Sequence, residues 1–291
     1  MTPVVFINTV LSLLGLYALL AIGIRMAYRA PRRVEQGTPA DSGLPFCTIS
    51  IATTNNKQLF AWYIPPPASA ERAPAVVAMH GWGGNAELML PFALPLHQGG
   101  YAVLLVDARN HGRSDADSFS SMPRFAEDLE HGFNWLAGQS EVDPQRLALL
   151  GHSVGAAAAL LVASRRPDVA AVVSIAAFAH PETLMRRQMS AHRIPYMPIG
   201  WLVLHYIERA IGYRFDAIAP TTTIQQIQCP VLLVHGDDDK SVPVGDAEAI
   251  YAQGKKGRVE MLTLEGADHD SIEHVDSHGG ELVDFLQRVM D

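Results

Sequence analysis

Short apolar runs that alternate with helix-like stretches constrain the fold of this chain more than any other feature. The runs occupy residues 75–79, 101–106, 147–150, 171–175 and 231–234. Runs of this length suit strands buried on both faces, and strands that alternate with helices indicate a parallel sheet covered by helices. Residues 48–54 and 58–64 add a predicted hairpin around Asn55-Asn56, and residues 259–264 are also strand-like. The sequence therefore predicts an α/β fold with a mostly parallel central sheet flanked by helices.

Polar or glycine-rich loops directly follow five of the predicted strands. They lie at residues 80–84, 107–114, 151–155, 235–239 and 266–269. The carboxyl ends of parallel strands meet at one edge of a sheet, and functional loops collect there. We therefore expect these loops to converge on a single site.

The loop at residues 151–155 has the sequence Gly-His-Ser-Val-Gly, which fits the pattern G-x-S-x-G. A serine at a sharp turn from strand to helix is exposed to substrate, and the glycines permit the turn and the close packing. A serine hydroxyl needs a base to take its proton, and the base needs an anion to orient it. The chain supplies Ser153, then the aspartates at 237–239, then His269.

This order of serine, aspartate and histidine resembles the α/β-hydrolase superfamily over roughly residues 46–291. The resemblance also covers His80-Gly81-Trp82-Gly83-Gly84 and the loops at 107–114 and 266–269. The family pattern H-G-x-x-D-x-x-V-P, aligned with residues 235–243, implies that Asp239 is the acid.

The resemblance further implies that Asp237 and Asp238 shape the turn, and that His269 is the base. His274 and His278 are less favoured candidates for the base, and their spacing suits a solvated surface. His111, in the loop after an early strand, is expected to be structural.

Two backbone N–H groups are implied to hold the oxyanion of the reaction. One belongs to Val154, the residue after the serine, and the other belongs to Trp82 in the glycine-rich loop. The G-K-[ST] ending of a phosphate-binding loop is missing after Gly84, so this loop is not interpreted as a phosphate cradle.

A short helical cap is implied between the strands that end near 175 and begin near 231, at about residues 181–226. Apolar side chains in this region are expected to contact an acyl chain or to pack the cap onto the domain. The expected substrate contacts are Met185, Met189, Met197 and Trp201.

The N-terminus carries a hydrophobic segment. Residues 3–24 contain no charged side chain, and about 20 such residues can span a membrane. The arginines that follow at 25, 29, 32 and 33 favour a cytoplasmic position for that flank. Residues 1–30 are therefore predicted to be a single-pass membrane anchor before a cytoplasmic catalytic domain, with residues 31–45 as a linker. The alternative is a helix packed on the domain itself or on a partner chain.

These observations predict a serine hydrolase that cleaves carboxylic esters, including lipid or long-chain acyl esters, without a metal or another cofactor. An acyl thioesterase or a small peptidase would use the same residues, and a non-catalytic binding protein of this fold is the alternative from a different class. The net charge is −8 although residues 1–40 contribute +3. The rest of the chain is thus strongly acidic, which argues against nucleic-acid binding. An oligomer is left open.

Overall fold

The computed structural model describes residues 3–67, 72–270 and 279–290. Within them, eight strands form one sheet in the order β1-β2-β4-β3-β5-β6-β7-β8. The strands are β1 (Cys47–Thr53), β2 (Lys57–Ile64), β3 (Ala73–Met79), β4 (Ala102–Val106), β5 (Val142–His152), β6 (Ala171–Ile175), β7 (Val231–Gly236) and β8 (Val259–Leu264). β2 pairs antiparallel with β1 and β4, whereas the other pairings are parallel. The mostly parallel sheet predicted from the sequence is confirmed.

Helices cover both faces of this sheet. They are α1 (Pro3–Ala27), α2 (Leu90–Gln98), α3 (Met122–Ala137), α4 (Val154–Arg165), α5 (Pro181–Ala191), α6 (Trp201–Ile211), α7 (Phe215–Ile218), α8 (Pro220–Thr223), α9 (Gly245–Gln253) and α10 (Gly279–Met290). On β3, Val77 packs into the cluster that contains α3 and α4, whereas Val76 packs into the one that contains α2 and α10. This alternation explains why the central strands are continuously apolar, since both of their faces are buried.

The helix α1 forms at the hydrophobic N-terminus, but the predicted membrane anchor is not supported. Among the described residues, no helix combines the length and the apolar character that crossing a membrane requires. The later turns of α1 contact the domain instead. The ring of Tyr17 lies 6.0 Å from that of Tyr206 on α6, and Ile24 is buried.

Residues 31–45, the expected linker, pack against the domain. The backbone N–H groups of Gln36 and Gly37 each donate a 2.8 Å hydrogen bond to the carboxylate of Glu87. Asn85 donates its side-chain amide to the carbonyl of Arg33 at 3.2 Å, and Leu44 is buried in the core. We call residues 28–37 the N-terminal strap, because they are fastened over the loop that follows β3.

The chain between β6 and β7 forms the cap, which comprises α5 to α8. It has a small core of its own, in which Met189, Leu204 and Phe215 are buried together. The cap follows the carboxyl end of β6 in the chain, and it therefore lies at the edge of the sheet where the parallel strands end.

Candidate active site

Ser153 lies at the turn between β5 and α4 in an unusual backbone conformation. Its φ is 54° and its ψ is −116°. A positive φ costs conformational energy in a residue other than glycine, and such strained residues cluster at functional sites. The Ser153 N–H donates a 2.8 Å hydrogen bond to the carbonyl of Ile175. The turn is thereby held against the end of β6, and the hydroxyl points toward the cavity that Ser153 lines.

The glycines on either side of Ser153 are required by close backbone packing. A Cβ on Gly155 would lie 2.3 Å from the carbonyl oxygen of Met79, and one on Gly151 would lie 2.3 Å from that of Gly155. Neither space admits a methyl group. The G-x-S-x-G pattern thus reflects the contact of α4 with β3 and β5.

Ser153, His269 and Asp239 form a continuous chain of hydrogen bonds across three loops. His269 Nε2 lies 3.0 Å from Ser153 Oγ, and His269 Nδ1 lies 2.7 Å from Asp239 Oδ2. A carboxylate only accepts, so Nδ1 carries the proton and Nε2 is free to accept from the serine hydroxyl. The structure brings together these three predicted residues with the geometry of a nucleophile, a base and an orienting acid.

Asp239 is fully buried but keeps its negative charge. Its Oδ1 accepts hydrogen bonds from the Ser241 and Val242 N–H groups at 2.8 and 2.7 Å. Burial alone would raise the pKa of this carboxyl, but hydrogen bonds from His235, His269 and Val242 outweigh burial and lower the pKa. The carboxylate is therefore ionised at neutral pH and accepts the hydrogen bond from His269 Nδ1.

Asp237 and Asp238 have other contacts, which separate them from the base. Asp237 accepts a 2.7 Å hydrogen bond from the Gly266 N–H, and Asp238 pairs with the side chain of Lys240. His274 and His278, the other late histidines, lie outside the described residues.

His152 is a candidate positioning residue that the sequence pattern did not single out. Its Nε2–H donates to the carbonyl oxygen of His269 at 2.9 Å, and the two rings lie 5.2 Å apart. Burial, followed by the nearby charge of His269, lowers the pKa of His152 to about 4. His152 is therefore neutral and holds the backbone of His269. Its position next to Ser153 was the only signal for it in the sequence.

The amides of Trp82 and Val154 are both free to bind an oxyanion. Within the described part of the chain, neither donates a hydrogen bond to another backbone group. The Trp82 loop lies against the turn that carries Ser153, since a Cβ on Gly81 would be 3.1 Å from Ser153 Cβ. His80 shapes this loop: its ring accepts from the Ala108 N–H at 3.1 Å and donates to the Gly81 carbonyl at 2.7 Å.

The loop at 107–114 braces the floor below the Trp82 loop. Arg109 is buried and donates to Asp128 at 2.8 Å and to Glu127 at 2.7 Å. His111 is also buried, and its Nδ1 lies 3.0 Å from the Arg109 carbonyl. His111 therefore packs beneath the site and does not act on Ser153.

A cavity of about 660 Å³ opens onto Ser153 and His269. Its walls come from the Trp82 loop, the cap and the N-terminal segment, and most of the lining side chains are apolar. This volume falls within the range of sites that bind small organic ligands.

One of the four cap residues expected to contact substrate, Met185, lines this cavity. Met189 instead packs into the core of the cap. Met197 and Trp201 are 63% and 46% exposed, and Trp201 stacks on His205. Met189, Met197 and Trp201, which were expected to contact substrate, are therefore not among the residues that line the cavity. The apolar lining comes from other cap residues, namely Leu184, Ile207, Ile211, Phe215 and Ile218.

Comparisons with known proteins agree with this fold. The family model described as serine aminopeptidase, S33, matches residues 70–210. The uncharacterized protein MT2364 of Mycobacterium tuberculosis (strain CDC 1551) is 30% identical over 245 residues, which cover 83% of this chain and 78% of the relative. The uncharacterized protein Rv2307c of Mycobacterium tuberculosis strain H37Rv is 28% identical over an alignment of 291 residues, which covers 96% of this chain and 94% of the relative.

Among solved structures, the esterase Pf2001 of Pyrococcus furiosus is similar with a TM-score of 0.72 and 24% identity, over 90% of this chain and 100% of that one. The chain belongs to the α/β-hydrolase superfamily. The family and these neighbours indicate a hydrolase.

Proposed function

We propose that this protein is a serine hydrolase that cleaves carboxylic esters through an acyl-enzyme on Ser153. The observation that carries the proposal is the hydrogen-bonded chain from Ser153 Oγ through His269 to Asp239, with distances of 3.0 and 2.7 Å. The second support is the placement of this chain at the wall of a largely apolar cavity.

In the proposed reaction, Ser153 Oγ attacks the carbonyl carbon of the ester while His269 Nε2 takes the hydroxyl proton. The N–H groups of Trp82 and Val154 bind the oxygen that becomes negative. His269 then gives the proton to the departing alcohol. A water molecule, activated by the same histidine, releases the acid and restores Ser153.

Each supporting residue has a defined part in this reaction. Asp239 holds the Nδ1–H tautomer of His269 and stabilises the imidazolium that forms. His152 fixes the backbone of His269. His80 and Arg109 keep the loops beneath Trp82 and Ser153 in place.

The charges around the cavity favour an ester over an N-terminal peptide as the substrate. An aminopeptidase binds a cationic α-amino group, which requires acidic side chains. Among the described residues, the charged side chains that line the cavity are those of Arg25, Arg33 and Asp270, beside the histidines His152 and His269. Two arginines against one aspartate disfavour a cationic substrate. The apolar lining suits the acyl chain of an ester, and esters with medium to long acyl chains are the proposed substrates.

Labelling with a fluorophosphonate tests the proposal directly. We expect the wild-type protein to be labelled and Ser153→Ala to remain unlabelled. Ser164→Ala is the matched control, because Ser164 lies at the far end of α4 and donates to the Leu161 carbonyl. A wild-type protein that is not labelled would support a non-catalytic binding protein instead. A Ser153→Ala variant that is labelled equally would overturn the assignment of Ser153 as the nucleophile.

Turnover assays then distinguish the substrate classes. We expect hydrolysis of 4-nitrophenyl acyl esters to exceed that of acyl thioesters and of aminoacyl 4-nitroanilides at equal concentration. Faster release from the anilides would favour a peptidase, the activity that the name of the matching family model suggests. Faster release from the thioesters would favour a thioesterase.

A further inference from the structure

The N-terminal segment forms one wall of the cavity above Ser153. Ile24 and Arg25, at the end of α1, line the cavity together with Tyr28, Pro31 and Arg33. This part of the chain therefore contributes to the substrate site, although it precedes the first strand of the sheet.

The strap is held over the loop that carries Trp82. Pro31 packs on Gly83, where an added Cβ would lie 2.8 Å from Pro31 Cγ. The Gly83 φ of +74° is one that glycine adopts readily. Beyond Pro31, hydrogen bonds join the Arg33 carbonyl to Asn85, and the following backbone to Glu87. The arginine side chains consequently start from a backbone that is fixed beside the cavity.

The arginines of this segment have no acidic partner among the described residues. Within the described chain, none of those at positions 25, 29, 32 and 33 lies within 4.0 Å of a carboxylate. By contrast, Arg109, Arg166, Arg187 and Arg288 all pair with acids. An acidic chain thus places a group of unpaired cations beside its candidate active site.

Arg25 and Arg33 are exposed and line the cavity, and among the described residues Asp270 is the acidic residue that also lines it. The arginine at position 32 is close enough to His111 for its charge to contribute to the lowered pKa of that histidine. The described charged side chains that line the cavity therefore sum to a net positive charge, which favours anions from solvent.

We propose that the substrate carries a carboxylate or phosphate group, which Arg25 and Arg33 bind at the mouth while its ester bond lies at Ser153. This inference rests on the proposed ester hydrolysis and names the class of ester. The planar guanidinium presents paired N–H donors that match either anion. An apolar cavity with a cationic mouth fits an amphiphilic ester, whose chain is buried and whose charged end remains near solvent.

Matched pairs of anionic and neutral esters test the inference. On the acyl side, 4-nitrophenyl half-esters of dicarboxylic acids of increasing length are compared with their methyl-capped counterparts. On the alcohol side, the butyrate ester of a hydroxybenzoate is compared with its methyl ester. The butyrate ester of a hydroxyphenyl phosphate is compared with its dimethyl phosphotriester, which is neutral. The measured quantity is the ratio of kcat/KM for the anionic ester to that for the neutral one. The carboxylate and phosphate arms show which anion is preferred.

The double variant R25Q/R33Q is compared with the wild-type protein. We expect the ratio to fall by about tenfold in at least one series, and to fall in the wild-type protein as salt screens the arginines. Hydrolysis of the neutral esters is measured in parallel, so that the ratio corrects for any general loss of activity in the variant. The matched control is R258Q/R288Q, which removes the same charge from exposed positions at β8 and α10 and should leave the ratio unchanged.

A ratio in R25Q/R33Q equal to that of the wild-type protein in every series would overturn the inference. The second readout requires no ester turnover: the rate at which Ser153 is labelled by a fluorophosphonate with a terminal carboxylate, relative to its methyl ester. Loss of this preference in R25Q/R33Q supports the arginine site even when no tested ester is hydrolysed. Unchanged labelling rates overturn the site, and a failure of all labelling overturns the proposed function.

Discussion

The Nε2–H group of His152 donates a 2.9 Å hydrogen bond to the carbonyl oxygen of His269. The residue before the candidate nucleophile therefore holds the backbone of the candidate base, 117 positions further along the chain. A single turn of the chain thus provides both the serine and a support for the histidine that acts on it.

His152 is expected to position His269 without touching substrate. We expect His152→Leu to lower kcat by about 10- to 100-fold, because a small displacement of a catalytic group is costly. KM should change little. His152→Gln keeps an N–H donor and should recover part of the lost activity. The measurement is steady-state kinetics on a 4-nitrophenyl ester, with thermal melting to show that both variants are folded. Equal losses of kcat in the two variants would contradict the positioning role.

Asp239 is expected to be the acid among the three consecutive aspartates. Asp239→Asn should lower kcat by up to about 10⁴-fold, since an amide at this position favours the wrong tautomer of the histidine. Asp238→Asn is the control, because Asp238 is exposed and pairs with Lys240. Steady-state kinetics on the same ester checks both variants. A larger loss in Asp238→Asn than in Asp239→Asn would exchange their assigned roles.

Gly155 is expected to tolerate no side chain. In Gly155→Ala the new Cβ would lie 2.3 Å from the Met79 carbonyl oxygen, so α4 must move away from β3. We expect the free energy of unfolding to fall by about 3 kcal/mol, measured by urea denaturation. Gly245→Ala in α9 is the control, because nothing lies within 4 Å of its added Cβ. That change should be neutral or should raise the stability by up to about 1 kcal/mol. Similar stabilities for the two variants would argue against the close contact of α4 with β3.

The strap is expected to make stability depend on pH through two buried carboxyls, Glu35 and Asp107. Burial, followed by the neighbouring carboxyl of Glu35, raises the pKa of Asp107 from 3.8 to about 8. Asp107 also accepts from the Ala86 and Arg113 N–H groups, each at 2.7 Å. A pKa that is raised on folding stabilises fully below the unfolded value and loses that contribution as pH rises through the folded value.

Glu35→Gln removes one carboxyl of this pair and leaves an amide that can donate to Asp107. We therefore expect the Tm of Glu35→Gln, relative to the wild-type protein, to increase as pH rises from about 4 to about 8. Thermal melting across this range is the measurement. In the control Glu260→Gln the trend should be opposite, because the hydrogen bond from Arg288 lowers the pKa of Glu260. A Tm difference for Glu35→Gln that is constant across the range would contradict the coupling.

Much of the fold could be predicted from the sequence because its signals are local. The apolar runs of β3 to β7 lie within short stretches, and each matches a strand buried on two faces. The hairpin of β1 and β2 was indicated by Asn55-Asn56, whose φ values of 59° and 55° are ones that asparagine tolerates. Burial on both faces leaves a continuous apolar run in the sequence, which can be recognised without knowing the partner strands.

The lining of the cavity could not be predicted in the same way. Met185 and Met197 lie on the same cap and are equally apolar, yet the first faces the cavity and the second is 63% exposed. The difference depends on how a short cap rotates onto the domain. That rotation is set by contacts between distant residues, such as the ion pair of Arg187 with Asp246, and composition does not encode it.

The sequence by itself determined the sheet, the turn that carries Ser153, and the order of Ser153, Asp239 and His269. Local patterns specify these features, and functional loops collect at the carboxyl ends of parallel strands. Only the tertiary structure decided what the N-terminal segment does. Its apolar run and its arginines matched the pattern of a membrane anchor, but the strap and the end of α1 lie at the cavity with Arg25 and Arg33 at the mouth. The hydrophobicity and charge of a segment do not specify which part of the domain it contacts. Those contacts join residues far apart in the chain, such as Pro31 and Gly83, and only folding brings them together.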